Sequence, residues 1–363
     1  MTKYKRRKIF YLLVAAFLLV SPLLVGYSLG YTLDFVQGDI KKTGGIFIKS
    51  KTPRLSIFLN GEFARETSLI SGGALLTDVA PATYLLRIEK TDHNPWSKTV
   101  SVVPEIVTEL RDILLVPRDI KPATTTPKAL APMLATTTSI ASEFKIDKKD
   151  NLTRKVGKNT KVVSAGVNSF AALNSALFFV DKNGFLAKFS PDEETLETIG
   201  RPGFYLTDAP LRFFQSPSGD IVILDSGGGV FLLDTEGKIT TAGGDATNIY
   251  FDSDGDKMLI QKRQSIEVRR FADNTYQPFQ KRGAEETILR LDSPIRDARW
   301  FYQDDAHIVI RTDDGIFLTE LDGRGGRNTA ELVSGKTDEL LTGPEIPDTI
   351  FFRKGKTWSK IEL

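Results

Sequence analysis

The sequence predicts two all-β extracytoplasmic domains, a small β-sandwich and a β-propeller of about five blades, that follow one N-terminal transmembrane helix. Three observations support this prediction: an uncharged apolar run near the start, alternating apolar and polar residues over residues 44–117, and a loose hairpin repeat over residues 150–363. The chain has 363 residues. At roughly 100 to 200 residues per domain, this length favours two or three folded units.

The apolar run extends from Ile9 to Leu33 without a charged residue. About 20 apolar residues, each rising 1.5 Å, cross a hydrocarbon core of roughly 30 Å, so residues 9–33 are long enough for a helix that spans the lipid bilayer. By the positive-inside rule, the basic tail that precedes the run stays in the cytoplasm and the rest of the chain is exported. This tail comprises residues 1–8, with the charged residues Lys3, Lys5, Arg6, Arg7 and Lys8.

A cleaved secretory signal is the alternative interpretation, because it shares a basic start and an apolar stretch. The apolar region of such a signal has only roughly 7 to 15 residues and ends at a small-x-small cleavage site. Here the run is longer, and the segment Gly26–Gly30 that follows it makes a weak cleavage site. We therefore predict an uncleaved, single-pass membrane anchor.

The composition excludes several kinds of chemistry. With no cysteine and two histidines, the chain has no thiol nucleophile, thiolate metal site or disulfide. Lys and Arg total 48 against 46 Asp and Glu, and five of the basic residues lie in the first eight positions. The remainder is nearly neutral and lacks a long basic run, so we predict no nucleic-acid partner.

The alternation over residues 44–117 predicts about six short strands and a small sandwich. Leu55, Ile57 and Leu59 point to one face while the residues between them point to the other, and the turn-forming pair Asn60-Gly61 follows. The predicted strands cover residues 46–49, 55–60, 74–79, 84–89, 96–103 and 110–116.

Four features of this segment resemble the PEGA domain, a short β-sandwich module of cell-envelope and surface proteins. They are Ser50–Pro53, the alternation into Asn60-Gly61, Pro81 and Tyr84 before one strand, and Trp96–Val100 at another. The resemblance covers about a fifth of the chain. It implies a bacterial cell surface and an adhesion-like or scaffold use rather than catalysis.

Residues 118–149 predict a flexible Thr/Pro-rich linker. From Asp119 to Ser142 the sequence consists largely of Pro, Thr, Ser and Ala, including Thr124–Pro127 and Thr136–Ser139. Such a composition supplies few side chains that could build a core. We therefore expect a spacer between the two domains.

Residues 150–363 contain five hairpins, each made of an apolar strand, a tight turn and a second apolar strand. The turns are centred on residues 184, 228, 264, 315 and 355. A single hairpin cannot bury both faces, whereas radial stacking of blades can, so we predict a propeller of about five blades. We expect Lys161–Ser164 to complete the last blade and close the ring. A flat sandwich or an open meander is the alternative.

Two turns in this region resemble those that enter the second blade strand of WD-type and Tricorn-type propellers. They are Ser216–Asp220 and Asp252–Asp256. No Trp-Asp dipeptide occurs, so the resemblance is to the architecture rather than to one family.

The sequence offers few residues for chemistry. A Ser-His-Asp triad needs a histidine, but His93 lies in a turn and His307 begins a strand, and neither is part of a nucleophile motif. Weak metal candidates are Asp252, Asp254 and Asp256, which have the spacing of the start of a calcium loop but lack its distal glutamate.

Two tryptophans are the remaining candidates for a binding site. Trp300 and Trp358 could stack on a sugar, although core filling is the default for tryptophan in a strand. We predict no catalytic residue, no cofactor and no metal.

These features predict a membrane-anchored binding or scaffold protein of the cell envelope, not an enzyme. Its propeller would present loops to an unidentified protein or glycan partner. Two alternatives stay open. One is an exported hydrolase or lyase with a cluster of carboxylates in the propeller channel, and the other is a sensory or assembly subunit that acts through the membrane helix.

Overall fold

The chain folds into two compact units around mainly β structure. A computed structural model describes residues 3–28, 31–34, 39–70, 72–131, 141–173, 175–234 and 236–363. Unit 1 comprises Met1–Asp119, Thr275–Phe279 and Asp322–Asn328, and unit 2 comprises Ile120–Asn274, Gln280–Leu321 and Thr329–Leu363. The predicted fold class, all-β domains with a single long helix at the N-terminus, is confirmed.

Helix α1 spans Lys3–Ser28 and contains 26 residues. Its apolar part, Arg6–Gly26, has 21 residues with a mean hydropathy of 2.5, and none of it is buried. At 1.5 Å per residue this part is about 31 Å long, which matches the hydrocarbon thickness of a bilayer. By length and composition, α1 can therefore cross a membrane. The helix is shifted toward the basic tail relative to the predicted span of residues 9–33, because residues 31–34 form a strand.

A β-sandwich forms the body of unit 1. Its strands, preceded by a hairpin of β1 and β2, are β1 (Tyr31–Asp34), β2 (Asp39–Lys42), β3 (Gly44–Ser50), β4 (Ser56–Leu59), β5 (Glu62–Glu66), β6 (Gly73–Val79), β7 (Thr83–Glu89), β8 (Trp96–Ser101) and β9 (Val107–Ile113). The two sheets have the orders β6-β3-β9 and β5-β4-β7-β8. Alternate residues face inward, so that Ile46, Ile57, Leu86 and Ile88 are fully buried between the sheets.

The segments 275–279 and 322–328, although distant in sequence, complete the edges of this sandwich within unit 1. The β8 edge donates the Thr99 N–H to the Gly325 carbonyl at 3.1 Å. The β9 edge donates the Glu109 N–H to Gln277 Oε1 at 3.1 Å, and Gln277 Nε2 donates back to the Val107 carbonyl at 2.8 Å. Both edges therefore have hydrogen-bond partners that would otherwise be supplied by water or another chain.

Unit 2 consists of six antiparallel sheets formed in chain order, within the residues that are described. Blade I has the strands β11 (Phe144–Ile146), β12 (Leu152–Val156) and β13 (Asn159–Ser164); its sheet order is β11-β12-β13. Before it, the chain forms β10 (Ala123–Thr125) and two short 3₁₀ helices, Pro127–Leu130 and Ala141–Glu143.

The other five blades have four strands each. Blade II contains β14 (Val167–Leu173), β15 (Ala176–Asp181), β16 (Leu186–Ser190) and β17 (Thr195–Gly200). Blade III contains β18 (Arg212–Gln215), β19 (Ile221–Leu224), β20 (Val230–Leu233) and β21 (Ile239–Thr241). Blade IV contains β22 (Ala246–Phe251), β23 (Lys257–Lys262), β24 (Ser265–Arg270) and β25 (Glu285–Arg290). Blade V contains β26 (Asp297–Phe301), β27 (His307–Arg311), β28 (Gly315–Glu320) and β29 (Thr329–Ser334). Blade VI contains β30 (Glu339–Leu341), β31 (Thr349–Lys354) and β32 (Thr357–Glu362) together with β10.

Consecutive blades share apolar cores. Phe178 of blade II packs in one cluster with Ile223 of blade III, and Val222 on the other face of blade III packs with Met258 of blade IV. The first strands of neighbouring blades are also in contact, as seen for β14 with β18 and for β22 with β26. The first strand of each blade therefore faces the axis, and the blades stack as in a β-propeller.

The ends of unit 2 meet in blade VI. Strand β10 pairs antiparallel with β32, so that Thr124 lies opposite Ser359 and Thr125 lies opposite Trp358. A sheet shared by the first and last strands closes the ring by hydrogen bonds. The prediction that Lys161–Ser164 closes the ring is wrong, because those residues form β13 beside β12.

Two further sequence predictions differ from the structure. About five blades were expected and six are present, because blade I has mostly polar, exposed strands that lack the apolar hairpin signal. Of the segment predicted as a spacer, residues 118–149, the described residues contribute β10 and β11 and bury Leu130 and Phe144. Residues 132–140, which include Thr136–Ser139, lie outside the described residues.

Candidate functional site

Polar residues on the first strands of blades III, IV and V form a network that connects the three blades. Arg212 on β18 donates from Nη1 to Asn248 Oδ1 on β22 at 3.3 Å, and Asn248 in turn hydrogen-bonds to the Tyr250 hydroxyl. The Tyr250 hydroxyl donates to Asp297 Oδ1 on β26 at 3.2 Å. The network thus joins three successive blades through side chains that are far apart in the sequence.

Asp297 also binds Arg299, which lies two residues further along β26. Arg299 donates to both carboxylate oxygens of Asp297 at 3.2 Å, and its guanidinium lies 4.1 Å from the centre of the Tyr250 ring. Burial raises the pKa of Tyr250 above its usual range, so its hydroxyl stays a neutral donor. Asp297 is the single carboxylate that we find hydrogen-bonded in the described part of this network. A pair of carboxylates, which acid–base hydrolysis of a glycoside requires, is not assembled by these contacts.

A groove of 560 Å³ lies between blades II and III. Its floor is apolar and includes Phe178, Ile221 and Leu233, which belong to the core that the two blades share. Leu173 and Ile199 are half-buried and extend this apolar surface toward the solvent. The volume lies within the range of roughly 300 to 1,000 Å³ that is usual for ligand pockets.

The rim of the groove is acidic. Five carboxylates and one ammonium group line it, namely Asp192, Glu193, Glu197, Asp234 and Glu236 together with Lys188. Asp234 is used for structure, since its Oδ1 accepts the backbone N–H groups of Glu236 and Lys238 at 3.0 and 2.8 Å. Asp192, Glu193, Glu197 and Glu236 are exposed. The groove therefore offers an apolar floor and a negative rim, which suit a cationic, partly apolar ligand.

Sequence reasoning missed this groove. Glu193 is followed by Glu194, and such an adjacent acidic pair indicates only a solvated turn. The density of acidic residues at 192–197 and 234–236 is a usable signal, but only the three-dimensional contact between blades II and III brings the two segments together. The network across blades III, IV and V had no local signal, because its hydrogen-bonded pairs between blades are 36 and 47 residues apart along the chain.

The three aspartates considered for calcium do not share one environment. Asp252 is buried, and its Oδ2 lies 2.6 Å from Lys257 Nζ, while Asp254 and Asp256 are exposed. Asp252 Oδ1 also accepts the Lys257 backbone N–H at 2.9 Å. Within the described residues, no group of three or more His, Asp or Glu side chains is arranged to hold a metal ion. Asp252 thus binds the lysine of its own turn.

A second aspartate, Asp305, faces this turn from blade V. Asp305 Oδ2 accepts the Ser253 N–H at 3.2 Å, while its Oδ1 is buried with no hydrogen-bond partner among the described atoms. Burial raises the pKa of Asp305 to about 6, and the neighbouring Asp252 carboxylate contributes to the rise. This carboxyl group is therefore easier to protonate than an ordinary aspartate.

The two histidines have local partners. His307 is buried, and its Nδ1 lies 2.7 Å from Asp304 Oδ2 in the turn between β26 and β27. His93 Nδ1 lies 2.8 Å from the Thr91 carbonyl in a turn of unit 1. Each histidine thus hydrogen-bonds within its own turn.

The predicted stacking tryptophans occupy different environments. Trp300 is fully buried, donates from Nε1 to the Tyr250 carbonyl at 3.0 Å and lies beside the Lys257 ammonium group. Its ring faces are covered by the core, so Trp300 has no open face for a sugar. Trp358 is half-buried on β32 opposite Thr125, and a stacking role for it stays a prediction.

The basic residues predicted to set the membrane orientation are all in α1. Lys3, Lys5, Arg6, Arg7 and Lys8 occupy its first two turns, ahead of the uncharged run that begins at Ile9. The helix shows a basic end and an apolar stretch, which an anchor and a signal sequence share.

Comparison with known proteins gives structural likenesses of low similarity. No family model and no curated protein matches the chain. Among solved structures, YCF48 from Cyanidioschyzon merolae has a TM-score of 0.37 at 13% identity, covering 60% of this chain and 76% of that one. Hsv2 from Kluyveromyces lactis has a TM-score of 0.36 at 14% identity, covering 58% of this chain and 68% of that one.

A third similar structure belongs to a membrane system. It is the extracellular domain of the putative one component system BT4673 from B. thetaiotaomicron, with a TM-score of 0.38 at 9% identity, covering 88% of this chain and 39% of that one. At these scores the likenesses carry no argument about function. The propeller assignment of unit 2 rests on its own sheet order and ring closure.

Proposed function

We propose that this chain is a membrane-anchored, extracytoplasmic protein of the cell envelope that binds a protein partner through its propeller. The groove between blades II and III carries the proposal, because it combines an apolar floor with an acidic rim in a volume that a peptide side chain can fill. The apolar part of α1 supports the anchor, and the basic residues before it support a cytoplasmic N-terminus.

The groove favours a basic, partly apolar peptide segment over a glycan. Phe178, Ile221 and Leu233 supply apolar contacts, and the exposed carboxylates of Glu197 and Glu236 attract lysine or arginine. A neutral sugar could donate hydroxyl hydrogen bonds to these carboxylates but has no positive charge to pair with them. The similarity of residues 44–117 to PEGA modules supports a scaffold role for the sandwich, which has the small two-sheet form that such modules have.

The test is a binding titration with the full chain in detergent micelles. The probe is a fluorescein-labelled octapeptide that alternates lysine and leucine, and the matched peptide has glutamate in place of lysine. We expect saturable binding of the lysine peptide only, and the double variant Glu197→Gln/Glu236→Gln should weaken it about 5- to 10-fold, since exposed ion pairs contribute about 0.2 to 1 kcal/mol each.

Glu331→Gln is the control for this titration. Glu331 is also an exposed glutamate on a blade strand, but it lies on β29 of blade V, away from the groove. Its substitution should leave the affinity unchanged. Equal binding of the lysine and glutamate peptides, or equal loss in the control and double variants, would contradict the proposed site.

A further inference from the structure

The chain enters the sandwich of unit 1 at one defined end. Gly44, at the start of β3, pairs with Val79 at the end of β6, and Gly45 pairs with Val107 at the start of β9. Thr83 pairs with Ser101, which brings the start of β7 and the end of β8 to this end as well. Three connections lie at this end, namely the turn Asn60-Gly61, residues 80–82 and residues 102–106. We call residues 80–82 and 102–106 the entry-end loops.

The entry-end loops are apolar and exposed. Val103 and Ile106 are 47% and 49% exposed, and the remaining members are alanine, proline and Val102 apart from one glutamate. That residue, Glu105, is the only charged residue of the two loops, and its carboxylate lies 2.6 Å from Lys42 Nζ. The two loops thus present apolar side chains with their single charge paired, while the polar turn Asn60-Gly61 lies at the same end of the sandwich.

Hydrogen bonds hold the two loops in place. The Val102 N–H donates to the Ala82 carbonyl at 2.9 Å, which joins one loop to the other. The Gly45 N–H donates to the Ile106 carbonyl at 3.1 Å, and the Glu105 N–H donates to the Thr43 carbonyl at 2.8 Å. The apolar surface is therefore built on the sandwich and does not depend on ordering a free loop.

The tether between α1 and this end is short. Two residues separate Ser28 from Tyr31, and Tyr31 lies directly across the β1–β2 hairpin from Lys42. With about 3.5 Å per extended residue and about 5 Å between paired strands, the path from Ser28 to Gly44 is at most about 25 Å. The hairpin returns the chain toward the helix, so the entry end cannot move far from the membrane surface.

We propose that the entry-end loops rest in the interfacial layer of the bilayer that α1 spans, with Val103 and Ile106 in contact with lipid. The proposal rests on the anchoring role of α1 proposed above. We choose lipid as the partner of the entry-end loops because the short segment between α1 and Gly44 holds these loops near the membrane, whose interior is apolar. The opposite end of the sandwich also exposes Leu69 and Ile70, but its loops carry four charged residues, Lys51, Arg54, Lys90 and Asp92, and have no tether to the membrane helix.

The test uses the natural absence of cysteine. Single variants Ile106→Cys and Ile70→Cys of the full chain are labelled with the environment-sensitive fluorophore NBD and reconstituted into vesicles of phosphatidylcholine and phosphatidylglycerol. Ile70 is the matched control, because it is a 99% exposed isoleucine whose loop lies beside Ser50 at the opposite end of β3. Flotation of the vesicles reports anchoring separately.

We expect both variants to float, and lipids with a nitroxide near the headgroup to quench NBD at position 106 at least about twofold more than at position 70. Flotation with equal quenching at the two positions would overturn the lipid contact while leaving the anchor intact. A blue-shifted but unquenched label at position 106 would also overturn it, since protein would then cover this end. Failure to float would overturn the anchor and the lipid contact together.

Discussion

At the scale of single residues, the ion pair of Asp252 and Lys257 makes the clearest prediction. The side chains are 1% and 13% exposed, so Asp252→Ala would leave a largely buried ammonium group without its carboxylate. We expect a loss of about 3 kcal/mol in the free energy of unfolding. Urea unfolding of the full chain in micelles, followed by tryptophan fluorescence, measures it.

The control for this ion pair is Asp254→Ala, two residues away in the same turn. Asp254 is exposed, so its loss should change the free energy of unfolding by less than about 0.5 kcal/mol. Calcium should leave the unfolding midpoint of the unsubstituted chain unchanged. Similar losses in the two variants, or a calcium-dependent midpoint, would show that the turn binds a cation instead of its lysine.

Asp305 makes a prediction about pH. Its pKa is raised from 3.8 to about 6 by burial, so between these two values the folded state holds a proton that the unfolded state has released. The contribution of Asp305 to the free energy of unfolding is therefore favourable at low pH. It falls as the pH rises from 3.8 to about 6 and stays low at higher pH. We expect Asp305→Asn to flatten this fall and to raise the unfolding midpoint at pH 7.

The asparagine variant suits the position, since Asp305 has a φ of 50° and asparagine tolerates this left-handed conformation. The measurement is the urea midpoint of unfolding of the unsubstituted chain and of Asp305→Asn at a series of pH values between about 4 and 8. If the two chains show parallel pH profiles, Asp305 does not hold a proton in the folded state at mildly acidic pH.

At the scale of elements, the pairing of β10 with β32 makes a prediction about ring closure. Replacing Ala123-Thr124-Thr125 by Pro-Gly-Pro removes ladder N–H groups. Because this pairing closes the ring, we expect the free energy of unfolding of unit 2 to fall by about 3 kcal/mol. The measurement is the urea midpoint of the full chain in micelles.

A proline in a turn is the matched control. Lys148 is exposed in the turn that Asp147 caps by accepting the N–H groups of Lys149 and Asn151, and proline favours the second position of such turns. Lys148→Pro should therefore leave the midpoint nearly unchanged. An equally small effect of Pro-Gly-Pro would mean that the ring is stable without β10.

The elements also show what the sequence could and could not predict. Strands β15 and β19 are buried along nearly their whole length, so their apolar runs and following turns gave the hairpins of blades II and III. Strand β5 is exposed and rich in charged residues, so no alternation revealed it. Residues 161–164 were expected to form a strand of the last blade, but they belong to β13 of blade I, because no local signal specifies their pairing with β12. Strand β10 was assigned to a linker because its stability comes from pairing with β32, over two hundred residues away, and not from its own side chains.

At the scale of the whole molecule, orientation across the membrane is the premise of the proposed function, and it can be tested with single cysteines. We expect Ser218→Cys, in an exposed turn of blade III, to react with a membrane-impermeant maleimide in intact cells. Thr2→Cys, ahead of the basic residues, should react only after the cells are permeabilised, because the positive charges keep that end in the cytoplasm.

The labelling pattern separates three topologies. Labelling of the Ser218→Cys variant alone in intact cells, with both variants recovered as full-length, membrane-bound chains, agrees with an uncleaved anchor. Loss of the first residues from the exported chain would indicate a cleaved signal and would remove the tether on which the lipid contact of Val103 and Ile106 depends. Labelling at position 2 alone would place the propeller in the cytoplasm, where the acidic groove of blades II and III would meet a different set of partners.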